Sequence, residues 1–428
     1  MIIGMTAMFA YLWYTVYIEE IIFPFFRRGN WVVISVYGIL LAVGMKINDG
    51  NRIGYFSFGQ TLLSQWMGTV MVNIMMYLIV SLIGRHFVTV GPIALLSLAQ
   101  IGFILVWTFI SDYTYHKINP PLQMIMIAGT GRHIEAMVNK VATRKDKYII
   151  AKRVNEAVGI DKILPELSKY DAVMICDLEI VTRNIITKYC FENNIRIYVA
   201  PRISDVIIRG ASEINLFDSP LLLCRNYGLS TGEQIMKRVF DILIALIMLL
   251  LLSPLLILIA LAIKIEDGGP VFYRQIRLTK DKKEFKILKF RSMIVGAEKN
   301  GIQMMDKVDP RITKVGAFIR RFRLDELPQL FNILKGDMSI VGPRPERPEL
   351  AEKILETIPE FDYRLKVKAG LTGYAQVIGK YNTSPYDKLE MDLMYISQYS
   401  LLLDIRIILM TPKMLFIKER TEGVDEQL

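Results

Sequence analysis

Apolar residues come in four long runs near the start of the chain, at roughly 2–25, 31–45, 61–84 and 92–111. A bilayer-spanning helix needs about 20 apolar residues, so these runs predict four transmembrane helices over 1–115. The run at 31–45 is the shortest of the four. Trp31, Trp66 and Trp107 fall near run ends, where an amphipathic ring suits the headgroup layer. The first run lacks an early basic region and a small-residue cleavage site, so it reads as a span and not as a removed leader. The loops between runs hold few charges. The bulk of the Lys and Arg lies beyond residue 115, which predicts a cytoplasmic location for that part of the chain.

The pattern then changes. Met124-Ile125-Met126-Ile127-Ala128, Asp171-Ala172-Val173-Met174-Ile175-Cys176 and Ile195-Arg196-Ile197-Tyr198-Val199 read as buried parallel strands separated by helical stretches. This alternation predicts a small Rossmann-like α/β module over 120–228. Gly129-Thr130-Gly131 comes directly after the first strand, but Ile134 stands where a dinucleotide fingerprint has its third glycine. Nucleotide binding and a regulatory or assembly role both stay open for the module.

A fifth apolar run, Val239 to Ile263, carries Ser253-Pro254 past its middle. A kinked span is one reading. A re-entrant membrane hairpin over 238–264 is favoured on three grounds. Proline breaks helical hydrogen bonding, and the Ser253 hydroxyl can serve freed backbone groups at membrane depth. Both flanks are basic, with Lys237 and Arg238 before and Lys264, Arg274 and Arg277 after, so a true span would put one basic flank outside.

Composition narrows the function. The chain is 52% hydrophobic with mean hydropathy +0.34, yet 22% charged and +10 overall. That balance points to lipid surfaces and phosphorylated substrates, and away from nucleic acid. Cys176, Cys190 and Cys224 form no paired motif, and His86, His116 and His133 are scattered. Any metal is therefore expected on oxygen ligands.

The candidate chemistry lies beyond residue 270. Phe272-Tyr273-Arg274-Gln275-Ile276-Arg277 and Phe285-Lys286-Ile287-Leu288-Lys289-Phe290-Arg291 alternate apolar and polar residues. Strands do so when one face is buried and the other meets phosphate, headgroups or simply water. Asp309-Pro310-Arg311 precedes an amphipathic helical stretch that ends at Arg320, Arg321 and Arg323. Leu324-Asp325-Glu326-Leu327-Pro328-Gln329 comes next. Pro328 suits the first turn of a new helix, so Asp325 can be an ordinary N-cap and Glu326 a first-turn acid. The crowd of arginines offers a second reading. A carboxylate kept ionised among cations can attack phosphorus, and its neighbour can hold Mg²⁺. Pro343 and Pro345 stiffen the backbone around Arg344, whose guanidinium suits bidentate phosphate binding or is merely exposed on a rigid loop. The turn from Lys366 to Gln376 offers Thr372 and Gln376 for nucleobase or sugar contacts. The apolar stretch from Ser400 to Ile417 is interrupted by Asp404, Arg406, Pro412 and Lys413, and reads as an interfacial helix.

These motifs, in this order over residues ~234–417, resemble the bacterial sugar transferase family, the monotopic polyprenyl-phosphate phosphoglycosyl transferases. The resemblance rests on Ser253-Pro254, Tyr273-Arg274-Gln275, Lys289-Phe290-Arg291-Ser292-Met293, Asp309-Pro310-Arg311, the Leu324-to-Gln329 and Val341-to-Pro345 segments, and Leu371-Thr372-Gly373-Tyr374-Ala375-Gln376. Two positions depart from the family pattern: Thr279 and Ala369 replace its usual glycine and proline. The N-terminal region is similar to the family's large architecture, which initiates exopolysaccharide, capsule or O-antigen repeats.

The resemblance implies an α/β catalytic domain over 234–420 in the cytoplasmic membrane, and a homodimer fits the large architecture. Asp325 would be the nucleophile that takes a sugar-phosphate from a UDP-sugar as a covalent aspartyl intermediate and expels UMP. Glu326 would help coordinate Mg²⁺, and Arg321 and Arg344 would contact phosphates. Undecaprenyl phosphate would then attack the intermediate among membrane lipids. The rivals are a membrane-anchored NAD-dependent nucleotide-sugar dehydratase and a non-enzymatic membrane scaffold or regulator of a polysaccharide assembly complex. The first would need an intact glycine fingerprint and a Tyr-x-x-x-Lys pair. The second has no need for an acidic pair set among arginines.

Overall fold

The computed structural model describes residues 1–414 except 23, 24, 26, 132, 133, 217, 225–228, 297–310 and 380–382. The chain folds as two units, Met1–Pro201 and Arg202–Leu428. Residues 202–228, read from the sequence as part of the α/β module, fall in the second unit.

The first unit opens with four helices long and apolar enough to cross a membrane: α1 (Ile2–Glu20), α2 (Arg27–Ile47), α3 (Phe58–Gly84) and α4 (Val90–Ile118). The short apolar run at 31–45 sits inside a helix of 21 residues, because α2 extends back through Asn30 to Arg27. Leu78, Leu82, Leu95 and Leu98 are exposed, as lipid-facing leucines are. Three buried polar residues, Tyr37, Asn73 and Gln100, point inward and satisfy one another. The Tyr37 hydroxyl donates to Asn73 Oδ1 (2.9 Å), Asn73 Nδ2 to Gln100 Oε1 (2.8 Å), and Gln100 Nε2 to the Tyr37 hydroxyl (2.8 Å). This closed ring links α2, α3 and α4, where apolar burial alone gives lipid-embedded helices little reason to associate.

The unit continues into β1 (Leu122–Ala128), α5 (Ile134–Ala142), β2 (Tyr148–Asn155), α6 (Ile160–Leu167), β3 (Ala172–Cys176), α7 (Ile180–Glu192) and β4 (Arg196–Val199). The sheet is parallel throughout, in the order β2-β1-β3-β4. Its central strands β1 and β3 are apolar runs buried on both faces, as strands sandwiched between helices must be. Arg144 donates to the Tyr55 carbonyl (2.6 Å), tying the module to the loop between α2 and α3.

The second unit begins with α8 (Ile203–Arg209) and an antiparallel ribbon of β5 (Ser212–Leu216) and β6 (Ser219–Leu223). The segment expected as a hairpin is a single helical element, α9 (Thr231–Asp267), with Pro254 inside it. Ser230 and Glu233 start it as a capping box, and Gly268 ends it at φ +70°, a left-handed turn that favours glycine. The Ser253 hydroxyl donates to the Leu250 carbonyl one turn back (2.9 Å), on the side of the chain where a proline removes a donor.

Both ends of α9 bond to the rest of the unit. Near its start Lys237 pairs with Asp404 (2.7 Å), and Asp241 accepts from Ser339 Oγ and the Ile340 amide (both 3.0 Å). Near its end Glu266 accepts from the Lys314 amide (2.7 Å) and Asp267 pairs with Arg291.

The domain body holds an antiparallel pair, β7 (Phe272–Leu278) and β8 (Glu284–Phe290), then α10 (Lys314–Arg321) and α11 (Gln329–Lys335). Beyond them is a short parallel pair, β9 (Ser339–Val341) and β10 (Gly370–Thr372). Between these two strands lie α12 (Pro348–Leu355) and a 3-10 stretch, Pro359–Lys366. The unit ends with α13 (Tyr374–Ile378), α14 (Pro385–Ser397) and α15 (Leu401–Met414). Leu330, Ile333, Met338, Val341 and Leu389 are fully buried at its centre. The last helix turns Asp404, Ile407, Met410 and Met414 into this core. The expected interfacial helix is thus built into the domain, because Asp404 answers the buried Lys237.

Candidate active site

The acidic pair sits on a 3-10 turn, Leu324–Glu326, between α10 and α11. Arg323 enters that turn at φ +54°, a conformation that costs a non-glycine residue about 1 kcal/mol or more and recurs at functional sites. Asp325 is no N-cap. The residue preceding α11 is Pro328, and no side chain caps the helix. The ordinary capping role that the spacing allowed is therefore absent.

The two carboxylates have different surroundings. Glu326 is 8% exposed. Its Oε1 accepts from Lys289 Nζ (3.1 Å) and Arg344 Nη2 (2.8 Å). Burial pushes Glu326 up, but the Arg344 and Lys289 charges outweigh it and hold the carboxyl well below the usual range. The same pairing raises the Arg344 guanidinium. Asp325 is half-buried, and no side chain among the described residues hydrogen-bonds or pairs with its carboxylate. Burial and the adjacent Glu326 charge raise it, against the pull of Lys289, Arg320 and Arg344. This corrects the sequence-based expectation that the arginine crowd favours the charged form of Asp325. Lys289 and Arg344 bond to Glu326 instead, and no side chain among the described residues holds the Asp325 oxygens.

Two devices aim the clamp. Asn332 on α11 accepts from the Leu288 amide (2.9 Å) and donates to the Lys286 carbonyl (2.9 Å). That ties β8, and so Lys289, to the helix just past the acidic pair. Arg344 projects from a loop whose backbone is buried at Val341, Gly342, Pro343 and Pro345, while its own side chain is 43% exposed. Its guanidinium can therefore hold Glu326 and still meet a ligand. Asn332 carried one signal in the sequence, a lone amide within the apolar run Leu330-Phe331-Asn332-Ile333.

The other predicted site residues have mixed placements. Arg320 acts on Asp325 through its charge. Arg274 is exposed on β7. Gln275 accepts from Arg277 (2.7 Å), which donates to the Pro345 carbonyl (3.1 Å), so Gln275 supports the Arg344 loop indirectly. Arg291 is buried against Asp267 and serves the end of α9, not a phosphate surface. The Arg311 carbonyl accepts from the Ile294 amide, while Asp309 and Pro310 lie outside the described residues. Arg321 is exposed, its guanidinium over the Phe322 ring at 5.8 Å. Thr372 is buried with its hydroxyl 2.8 Å from that of Thr411, a core contact in place of the expected sugar or base contact. Gln376 Nε2 donates to the Leu371 carbonyl (3.4 Å).

Residues 232–418 match the family described as bacterial sugar transferase. One relative, an exopolysaccharide production protein of Rhizobium leguminosarum bv. phaseoli, is 40% identical over 202 residues, which cover 45% of this chain and 98% of the relative. This chain belongs to the bacterial sugar transferase family. Two further relatives are informative. One is the UDP-N-acetylgalactosamine-undecaprenyl-phosphate N-acetylgalactosaminephosphotransferase of Aeromonas hydrophila, 45% identical over 178 residues, 41% of this chain and 42% of that protein. The other is the UDP-glucose:undecaprenyl-phosphate glucose-1-phosphate transferase of Klebsiella pneumoniae, 36% identical over 271 residues, 62% of this chain and 53% of that protein. The matches thus span about half the length of these two relatives, whose names give different sugars.

Proposed function

We propose that this bacterial sugar transferase moves a sugar-1-phosphate from a UDP-sugar to undecaprenyl phosphate, releasing UMP, at the cytoplasmic face of the membrane. Such a step would initiate an exopolysaccharide, capsule or O-antigen repeat. The observation that carries the reading is the asymmetry of the acidic pair. Glu326 is fixed between Lys289 and Arg344, and Asp325 beside it has no side-chain partner among the described residues.

Phosphoryl transfer needs positioning and charge neutralisation more than anything else from a protein. Asp325 Oδ would attack the sugar-bearing phosphorus, and the bond from that phosphorus to the bridging oxygen would break. UMP leaves with the bridging oxygen and its electron pair. An oxygen of undecaprenyl phosphate then attacks the same phosphorus and returns Asp325 to its carboxylate. Lys289 and Arg344, already in place on Glu326, would stabilise charge on the phosphoryl oxygens. An aspartate with a raised pKa is also a better nucleophile once ionised than one held by cations.

The donor set fits Mg²⁺ in one way. Asp325 and Glu326 supply the one or two carboxylates that Mg²⁺ takes when phosphates and water complete its shell. Among the described residues no group of three or more candidate ligands exists, so the ion would come with the diphosphate. When bound, Mg²⁺ would neutralise charge on the diphosphate.

A re-entrant α9 belongs to the same proposal. A straight helix of 37 residues is about 55 Å long, whereas a compact domain of this size has a radius of gyration of about 16 Å. Lys237 and Asp241 near one end and Glu266 and Asp267 near the other all bond within that domain. A bend at Ser253-Pro254 would reconcile the two and would put Asp325 at headgroup level. The homodimer expected of the large architecture is also proposed here, with the exposed Leu221, Leu222 and Leu223 on β6, whose outer edge pairs with no strand among the described residues.

The test is direct. Purified protein with Mg²⁺, labelled UDP-sugar and undecaprenyl phosphate should give lipid-linked sugar and UMP. Asp325→Asn should abolish both. Turnover by Asp325→Asn near the parent rate would remove the assigned nucleophile.

A further inference from the structure

The loop that presents Arg344 is held by its carbonyl oxygens. Gly370 N–H donates to Pro343 O (2.9 Å), Arg364 Nη2 to Arg344 O (2.9 Å), Arg277 Nη1 to Pro345 O (3.1 Å), and Leu278 N–H to Glu346 O (3.0 Å). Four consecutive carbonyls thus have donors, and the one under Arg344 itself is served by a buried guanidinium.

Arg364 is 3% exposed, within the 3-10 stretch ahead of β10. It pairs with Asp392 Oδ2 on α14 (2.8 Å), reaches Glu346 Oε1 (3.4 Å), and lies over the Phe361 ring at 4.8 Å. Asp392 is 1% exposed. A buried ion pair of this kind adds little stability over an apolar pair of the same volume, so its stabilising effect alone does not account for it. Its geometry does something else: one nitrogen, Nη2, meets both the Asp392 carboxylate and the Arg344 carbonyl, while Nη1 in the same plane reaches Glu346 Oε1. Lysine has the charge but only one nitrogen, so it cannot hold all three acceptors in a fixed plane.

We propose that Arg364, held by Asp392, is a positioning residue that fixes the backbone of Arg344 and so keeps its guanidinium on Glu326 and the reacting phosphate. This rests on the transferase reading above for its consequence, but not for its structural content. In the site Arg344 Nη2 must sit 2.8 Å from Glu326 Oε1, and a displacement of about 1 Å can cost on the order of 100-fold in rate.

The experiment uses Arg364→Lys and Asp392→Asn in the full chain in lipid nanodiscs. Amide hydrogen exchange at Leu278 and Gly370, the two N–H donors to the loop, reads the positioning. UMP release with saturating donor and lipid reads its consequence. The expected result for Arg364→Lys is exchange at least tenfold faster at both amides. The kcat should fall about tenfold, with KM for undecaprenyl phosphate within twofold of the parent. Asp392→Asn should give the same pattern more weakly, and it decides the matter if Arg364→Lys does not fold. Unchanged exchange in the folded variant overturns the proposal, whatever happens to activity. Faster exchange with unchanged kcat overturns it as well. If the parent protein transfers no sugar-phosphate at all, the transferase reading fails, while the exchange arm still decides whether Arg364 holds the loop.

Discussion

Arg344 Nη2 and Lys289 Nζ converge on the same oxygen of Glu326, at 2.8 and 3.1 Å. The three residues come from a proline-flanked loop, a strand and a 3-10 turn. Their meeting leaves the next carboxylate, Asp325, without a partner among the described residues. The two adjacent acids differ in which of them the cations reach.

That difference has a consequence for pH. The Glu326 charge helps to raise Asp325. Glu326→Gln removes that charge and frees Lys289 and Arg344 to act on Asp325, and both changes favour the ionised aspartate. The acid limb of the kcat/KM profile for UMP release should move to lower pH, while kcat falls about 100-fold from loss of the ordered clamp. An acid limb that moves upward would mean that Asp325 is not the titrating group.

Arg344→Lys keeps the charge and loses the fork. The residue is half-exposed with one edge on Glu326, so lysine cannot serve both the carboxylate and a phosphate in one plane. Steady-state assays should show a fall in kcat of roughly 10- to 100-fold, with thermal stability close to that of the parent. An unaltered kcat would remove Arg344 from the phosphate site.

Asp392 offers a stability test. Burial raises its carboxyl from 3.8 to about 6 despite Arg364. The folded protein therefore holds this proton more tightly than the unfolded chain does. The stability it contributes is fully present below the unfolded value of 3.8 and lost as pH rises through about 6. The parent should gain on Asp392→Asn in unfolding temperature between about pH 7 and about pH 4. A constant difference across that window would contradict the shift.

The course of α9 is open to chemical labelling. Cysteines at Gly232 and Gly268, introduced one at a time in a background without the native cysteines, flank the helix at exposed positions. With a bend at Pro254, a membrane-impermeant maleimide should label both from the same side of inverted vesicles and neither from the other. Labelling from opposite sides would make α9 a full span.

Much of this was legible in the sequence, because some patterns act locally. Apolar length marked the four helices, and unbroken apolar runs marked β1 and β3. The strand β2 was missed because it lies at the sheet edge and turns Lys152 and Arg153 outward, which breaks the apolar pattern. Asp325, Glu326, Lys289 and Arg344 were all singled out, and the structure brings Lys289 and Arg344 onto Glu326. The roles of Arg291 and Gln275 were not legible. A basic or amide residue on a strand looks the same whether it meets a substrate, Asp267 at the end of α9, or Arg277 two residues along. Arg364 carried no signal at all, since its partners Arg344 and Asp392 are far from it along the chain.

The proposed nucleophile can be tested directly. The protein is mixed with Mg²⁺ and a UDP-sugar without undecaprenyl phosphate, quenched in acid, and read by intact mass and peptide mass spectrometry. The expected result is an added sugar-phosphate on Asp325, formed with one equivalent of UMP and absent in Asp325→Asn. UMP release on later addition of lipid, with no adduct on Asp325 at any stage, would contradict a covalent route through this residue.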